Sequence, residues 1–377
     1  MPGILVVGSG FAGCVYARSL ADHGFDVEVI DRRRHIGGNA YDEHAAGGER
    51  IHRYGPHLLH TNMENVIEWL SRFGSFVPYR HRVQALLGDG GCVPLPINRT
   101  TINRVFDVSL TTAEDVAAFL TRQAIPCADP TNAAAHLYAQ IGPRLTDLFF
   151  RPYTKKMWGL DLEEMSVAVV SRIPLRFDDN DQYFPDDRFQ LLPEQGYTAL
   201  FAKILEHPRI RVHLNTPFDR SFLADYNHCF NSMAIDEYFD EVFGPLAYRS
   251  LRFIDRQESI AYKCGDAPVI NFTDDAPFTR QTDWSLFPGH SGSGATRTIT
   301  VEEPCDYKEN SSERYYPIKT MDGRYEALYR RYRALAEQER GLTFIGRCGT
   351  YRYLDMHQVI NQSLVGAAAW LTGSTSP

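Results

Sequence analysis

The chain opens on an unbroken apolar run, Ile4-Leu-Val-Val, that stops at Gly8, after which the hydrophobic period changes. From Phe11 to Leu20 apolar positions recur at helical spacing, and Val27-Glu-Val-Ile reads as a second strand. The spacing in Asn65–Phe73 predicts another helix. VQALL and CVPLP then flank Gly88-Asp-Gly-Gly91, a turn signal that predicts a hairpin over Val83–Pro96. Residues 100–156 carry a helical pattern, with N-caps expected at Thr112 and at Asp129 before Pro130. A helix over 195–206 and a strand over 210–214 follow. Between 247 and 303 the pieces SIAYKC, PVINFT and TRTITV read as short strands of an antiparallel sheet. Residues 325–339 form a charged amphipathic helix, 342–346 a strand, and 358–371 a final helix rich in small residues.

The glycines at the first turn give this pattern a chemistry. Gly8 suits a tight turn, Gly10 a close backbone approach to a pyrophosphate, and Gly13 close packing of helix on strand. The second strand ends in Asp31, placed to bind a ribose hydroxyl. Strand, helix, strand and acid in this register predict a dinucleotide site. A basic run from Arg32 and the pair Gly37-Gly38 then favour FAD over a nicotinamide cofactor, a plain surface loop being the alternative. The strand–glycine–helix pattern at 342–371 suggests that the chain returns to finish this domain. The fold class expected is α/β: an FAD-binding Rossmann-like domain with an inserted helical subdomain and an antiparallel β-sheet subdomain.

Composition excludes several classes. With 377 residues, 44% hydrophobic and 23% charged, the chain reads as a globular protein of two or three structural units. A net charge of −8 without a basic stripe argues against nucleic acid or an anionic membrane surface as partner. Seven scattered cysteines, never paired as CxxC, and no secretory leader pattern predict a reduced, cytoplasmic protein. No apolar stretch approaches the roughly 18 residues of a membrane span.

Four further clusters could carry chemistry. Phe149-Phe150-Arg151-Pro152-Tyr153-Thr154-Lys155-Lys156-Met157-Trp158 mixes aromatic faces with cations, suited to stacking a base, or equally to packing a core. Arg172 with Tyr183, and Arg280 in PFTR, offer planar forks for phosphate, or ordinary surface charges. Gly346-Arg347 through Asp355-Met356 follows an apolar strand and could cap a flavin ring or merely turn. No GxSxG or activated cysteine is present, and His52, His57 and His60 lack a third ligand, so no metal is expected.

These clusters together bring a resemblance. GSGFAG at 8–13, HIGGNAYD at 35–42, YGPHLLHT at 54–61, PLPIN at 94–98 and FFRPYTKKMWG at 149–159 are similar to motifs of the bacterial UDP-galactopyranose mutases. SRIPLRF at 171–177, PFTR at 277–280, RYYPI at 314–318 and GRCGTYRYLDM at 346–356 continue the match along nearly the whole chain. The resemblance implies a redox-neutral isomerisation of UDP-galactopyranose to UDP-galactofuranose by reduced FAD, flavin N5 attacking the anomeric carbon while UDP departs and returns. It also implies a reductant such as NAD(P)H and a homodimer.

Carried over residue by residue, it makes Phe150 and Tyr153 uridine stackers beside Phe149, with Asn271 near the base. Arg172 and Arg280 match the diphosphate arginines, and Tyr183, Tyr316 and Tyr353 the tyrosines at the phosphates. Trp158 matches a lid tryptophan, and His57 the histidine whose backbone meets the flavin. Gly8, Gly10, Phe11, Gly13, Asp31, Arg32, Gly37, Gly38, Asn39, Arg347, Asp355 and Met356 would line the cofactor, with Asp355 also at the sugar. Three departures stand out: His81 where some members carry asparagine, Leu59 in place of phenylalanine, and an acid that aligns as Glu302 or Glu303. A 6-deoxy or 2-acetamido sugar therefore stays open, as do a flavin oxidase or dehydrogenase and a non-catalytic binder. The implied layout gives the FAD domain residues 1–78, 195–245 and 319–377. The substrate sheet takes 79–99, 171–194 and 246–318, and a lid-bearing helical subdomain takes 100–170.

Overall fold

The computed structural model describes residues 3–170 and 174–374. A five-stranded parallel sheet forms the core of the first half. Its order is Ile210–His213, Val27–Ile30, Ile4–Val7, His228–Asn231, Leu342–Phe344. The first two strands in the chain and the helix Phe11–Asp22 between them form the opening βαβ turn. The other three strands arrive from 210, 228 and 342, so the sheet closes only when distant segments return. The last helix, Met356–Ser374, lies on Phe11–Asp22 so closely that a Cβ on Gly366 would stand 2.0 Å from the Tyr16 hydroxyl oxygen. Val6, Val15, Phe201, Phe230 and Ile360 are buried between these layers, and the apolar area they remove from water drives the assembly.

A seven-stranded sheet forms the second half, in the order Tyr316–Pro317, Tyr248–Ser259, Thr296–Asp306, Arg280–Asp283, Val269–Phe272, Val83–Leu86, Cys92–Leu95. It is antiparallel at every pairing but one: Val269–Phe272 runs parallel to Val83–Leu86. The early hairpin joins the sheet there through its first strand. The expected strand SIAYKC is not one. Tyr248–Ser259 runs as a single twelve-residue strand, and Tyr262 N–H then bonds Ser259 O at 2.9 Å in a turn.

The helical layer comprises Arg99–Phe106, Ala113–Gln123, Ala133–Leu145 and Arg151–Trp158, with Ile102, Val116, Leu120, Leu137 and Leu145 in its own core. Thr112 caps its helix as expected, sharing a capping box with Asp115. Asp129 does not cap the next one. Asn132 accepts the Ala135 N–H at 2.9 Å instead, because the helix begins at Ala133, past Pro130 and Thr131. Within 171–194, expected in the substrate sheet, the strand Phe189–Pro193 instead pairs with Leu59–Thr61 and Phe76–Pro78, while Gln182 makes a single bridge to Arg82.

Candidate functional site

The glycine turn builds the first wall of a cleft. Gly13 lets the helix lie against the turn, since a Cβ there would stand 1.9 Å from Gly8 O. At Gly10, the N-cap of Phe11–Asp22, no side chain caps the helix, so the first-turn N–H groups and the positive end of the helix dipole are left for a ligand. Gly38 has φ +56°, and a Cβ on it would come within 2.9 Å of Gly10 Cα. The two glycine motifs thus meet backbone to backbone.

Gly8, Gly10, Phe11, Asp31, Arg32, Gly37, Gly38, Asn39, His57, Arg347 and Met356 all line this one cleft. Gly13 and Asp355 do not: Gly13 sits beneath the turn, and Asp355 donates its N–H to Gln358 Oε1 at 2.9 Å beside the final helix. Both oxygens of the Asp31 carboxylate are engaged locally, Oδ2 accepting Ser9 N–H at 2.8 Å and Ser9 O–H at 2.6 Å and Oδ1 accepting Arg33 N–H at 2.9 Å. Sequence reasoning missed Thr216, Phe218, Ser232, Met233, Glu313 and Arg314, which also line it. The first four follow strands, Arg314 opens the RYYPI motif and Glu313 precedes it, and only the chain's return brings them here. Glu313 bridges Arg33 at 2.7 Å and Arg32 at 3.2 Å.

A second row crosses the seven-stranded sheet. Asn271, Arg280 and Glu302 stand in register on three neighbouring strands. Glu303 pairs with Arg252 at 3.3 Å, and because side chains alternate along a strand it faces away from this row. The ambiguity between Glu302 and Glu303 is decided by that alternation. Glu302 is fully buried, and its Oε2 lies 2.8 Å from Arg280 Nε. Burial works against the Arg280 charge, but Glu302, together with Tyr153 and Tyr315, raises the guanidinium pKa. Burial in turn pushes Glu302 above the ordinary carboxylate range against the pull of Arg280. Buried Asn271 Oδ1 and Arg347 Nε have no hydrogen-bond partner among the described residues. Unpaired buried polar atoms of this kind call for a ligand.

Arg280 is the electrostatic hub of the candidate set. Burial depresses His57 to about 4, with Arg347 and Arg280 adding to the effect. Burial and the charge of Arg280 depress His81 to about 3. Burial pushes Tyr153 up to about 12, opposed by Arg280, with Tyr183, Glu302 and Tyr353 as neighbours. Tyr183 reaches the group through its N–H, which donates to His81 O at 2.7 Å.

The helix Arg151–Trp158 closes over this row. Tyr316 O–H donates to Met157 O at 2.6 Å, Arg249 Nη2 to Lys156 O at 3.1 Å and Arg249 Nε to Met157 O at 3.2 Å. Trp158 stacks edge-on to Tyr316 with ring centres 5.0 Å apart and stands 6.2 Å from Tyr353. The Tyr316 hydroxyl is therefore engaged by the helix end. Phe149 belongs to the helical core, while Phe150 packs only partly against it. Arg172 lies outside the described residues. The histidines of IHRYGPHLLH serve the backbone and a carboxylate: His52 Nδ1 accepts His57 N–H at 3.0 Å, and His60 pairs with Asp187 at 2.7 Å.

Comparison with known proteins agrees with this geometry. A family model described as UDP-galactopyranose mutase matches residues 148–353, and an NAD(P)-binding Rossmann-like domain matches 6–73. A Klebsiella pneumoniae relative, "Probable UDP-galactopyranose mutase", is 36% identical over 98% of this chain and 94% of its own. The Escherichia coli dTDP-fucopyranose mutase is 35% identical over 98% of each chain. A crystal structure of reduced UDP-galactopyranose mutase superposes with a TM-score of 0.75 at 16% identity, covering 100% of this chain and 95% of its own, which shows a shared fold. Identity sustained along almost the entire length, and a family model spanning the helix Arg151–Trp158, the arginine–glutamate row and the final glycine turn, place this chain in the UDP-galactopyranose mutase family.

Proposed function

We propose that the chain isomerises UDP-galactopyranose to UDP-galactofuranose with reduced FAD held in the glycine-lined cleft. The carrying observation is the Asn271–Arg280–Glu302 row, whose guanidinium is coupled to His57 of the cofactor cleft and to Tyr153 under the closing helix.

The cleft suits FAD. Two glycine motifs give a diphosphate close access to uncapped helix N–H groups, and Arg347 Nε is an unpaired donor within the lining. When bound and reduced, FAD supplies the nucleophilic nitrogen for the anomeric carbon. The chain's own residues do the rest. Arg280, with Arg172, binds the diphosphate and stabilises the charge that grows on it as it leaves. Tyr153 and Phe150 hold the uracil face, and Asn271 Oδ1 is an acceptor for the base. Tyr183 and Tyr353 stand at the phosphates, and Tyr316 holds the helix that carries Trp158 closed over the sugar, excluding water while the sugar ring opens. His57 and His81 act as neutral imidazoles near neutral pH, since burial depresses both. NAD(P)H as reductant, a homodimer and the cytoplasm belong to the same reading, the last supported by seven free cysteines.

A second substrate keeps a place because a dTDP-fucopyranose mutase is 35% identical to the chain. Incubating dithionite-reduced protein with UDP-galactopyranose, dTDP-fucopyranose and a UDP-2-acetamido sugar, then resolving products by chromatography, decides between them. Equal turnover by oxidised protein, or net substrate oxidation with O2 consumption, would sink the mutase reading.

A further inference from the structure

Away from the substrate row, the loop after Ser259 crosses the edge hairpin of the seven-stranded sheet. Gly265 has φ +73°, and a Cβ there would stand 2.4 Å from Gln84 Oε1 and 3.2 Å from Cys92 Sγ. Glycine alone lets the loop lie this close. Neighbouring contacts pin it: Asp266 N–H donates to Gln84 Oε1 at 3.0 Å, Gln84 Nε2 to Asp266 Oδ1 at 2.6 Å, and Arg82 Nη2 to Asp266 O at 3.0 Å. Cys92 stands opposite Leu86 in the hairpin. The crossing therefore brings Cys264, the residue before Gly265, to the side of the Cys92 thiol, with which it interacts. Both cysteines are partly exposed, whereas Cys14, Cys229 and Cys305 are buried.

We propose that Cys92 and Cys264 form a reversible thiol–disulfide pair that staples the 260–268 loop to the edge hairpin. Each thiol gives up one proton and one electron as a single S–S bond forms, and a small-molecule disulfide or diamide takes both electrons and both protons. Burial, with the neighbouring thiol adding to it, pushes Cys92 up to about 11, so its sulfur stays protonated near neutral pH and reacts slowly. The staple acts next to the site, because Val83–Leu86 pairs with the strand that carries Asn271.

The test treats reduced, desalted native protein with diamide, alkylates the remaining thiols, digests it and reads the peptides by mass spectrometry. The expected result is one cross-linked peptide joining Cys92 to Cys264, reversed by dithiothreitol, and a Tm rise of about 3 °C or more, since the bond closes a long loop. Cys92→Ser and Cys264→Ser should each abolish both signals. Cys92 and Cys264 recovered singly alkylated, or cross-linked instead to exposed Cys127, would overturn the pair. A Cys92–Cys264 cross-link with unchanged Tm would overturn the staple.

Discussion

Arg280 and Glu302 face each other on neighbouring strands with Nε 2.8 Å from Oε2, yet neither that N–H nor either carboxylate oxygen makes an aligned hydrogen bond. The carboxylate sets the guanidinium's charge and position. Among the described residues no hydrogen bond uses the Arg280 Nη groups, which the proposed function assigns to the diphosphate. Arg280→Ala and Arg172→Ala should each lower kcat/KM by about 100-fold or more, since a lost charge-stabilising donor costs roughly 3 kcal/mol. Arg→Lys should restore only part of this, because an ammonium lacks the planar fork. Steady-state kinetics of flavin-loaded variants checks both; near-wild-type values would remove the two arginines from the reaction.

Glu302→Ala leaves the Arg280 charge without its buried counter-ion. Breaking such a pair costs about 3 kcal/mol or more, so urea unfolding should show that loss, with a smaller one for Glu302→Gln. Equal stability of wild type and Glu302→Ala would mean that the ion pair is already solvated.

A Cβ on Gly38 has no room against Gly10 Cα, only 2.9 Å away. Gly38→Val should therefore purify without flavin absorbance and without activity while keeping the substrate sheet folded, as read by near-UV circular dichroism. A yellow, active variant would move the cofactor elsewhere.

Acid should destabilise the fold well before its carboxylates titrate. His81 is held at about 3 and His290 at about 4, both chiefly by burial. The unfolded chain binds protons at these histidines from about pH 6.5 and the folded chain does not. Their contribution to stability is thus complete above pH 6.5 and lost as pH falls toward 4, at up to about 1.4 kcal/mol per pH unit for each. Urea unfolding at pH 7, 6 and 5 measures the slope, and His290→Asn should flatten it. A stability that stays level down to pH 5 would contradict the burial of both rings.

Arg249 and Tyr316 hold the carbonyl end of the helix bearing Trp158. Arg249→Ala should raise KM for the UDP-sugar about tenfold, the worth of hydrogen bonds from a charged donor, with kcat less affected. The UDP-induced change in Trp158 fluorescence should shift to higher UDP in parallel. Unchanged KM and fluorescence would show that closure does not use these bonds.

Local order was legible without the fold. The Gly88–Gly91 hairpin and the Thr112 cap depend on contacts within a few residues, and the strand–Gly8–helix–strand turn that ends at Asp31 closes within one βαβ unit, where side-chain period and backbone freedom decide the conformation. Other features turned on packing between distant segments. Pattern alone left Glu302 and Glu303 equivalent until strand register put one beside Arg280 and the other beside Arg252. The aromatics Phe149 and Phe150 looked alike until helix packing buried the first in the core. The parallel docking of Val83–Leu86 on Val269–Phe272, and the return of 216–218, 232–234 and 313–315 to the cleft, join residues far apart in the chain. No local pattern records such meetings, because the burial that rewards them exists only once the layers have assembled.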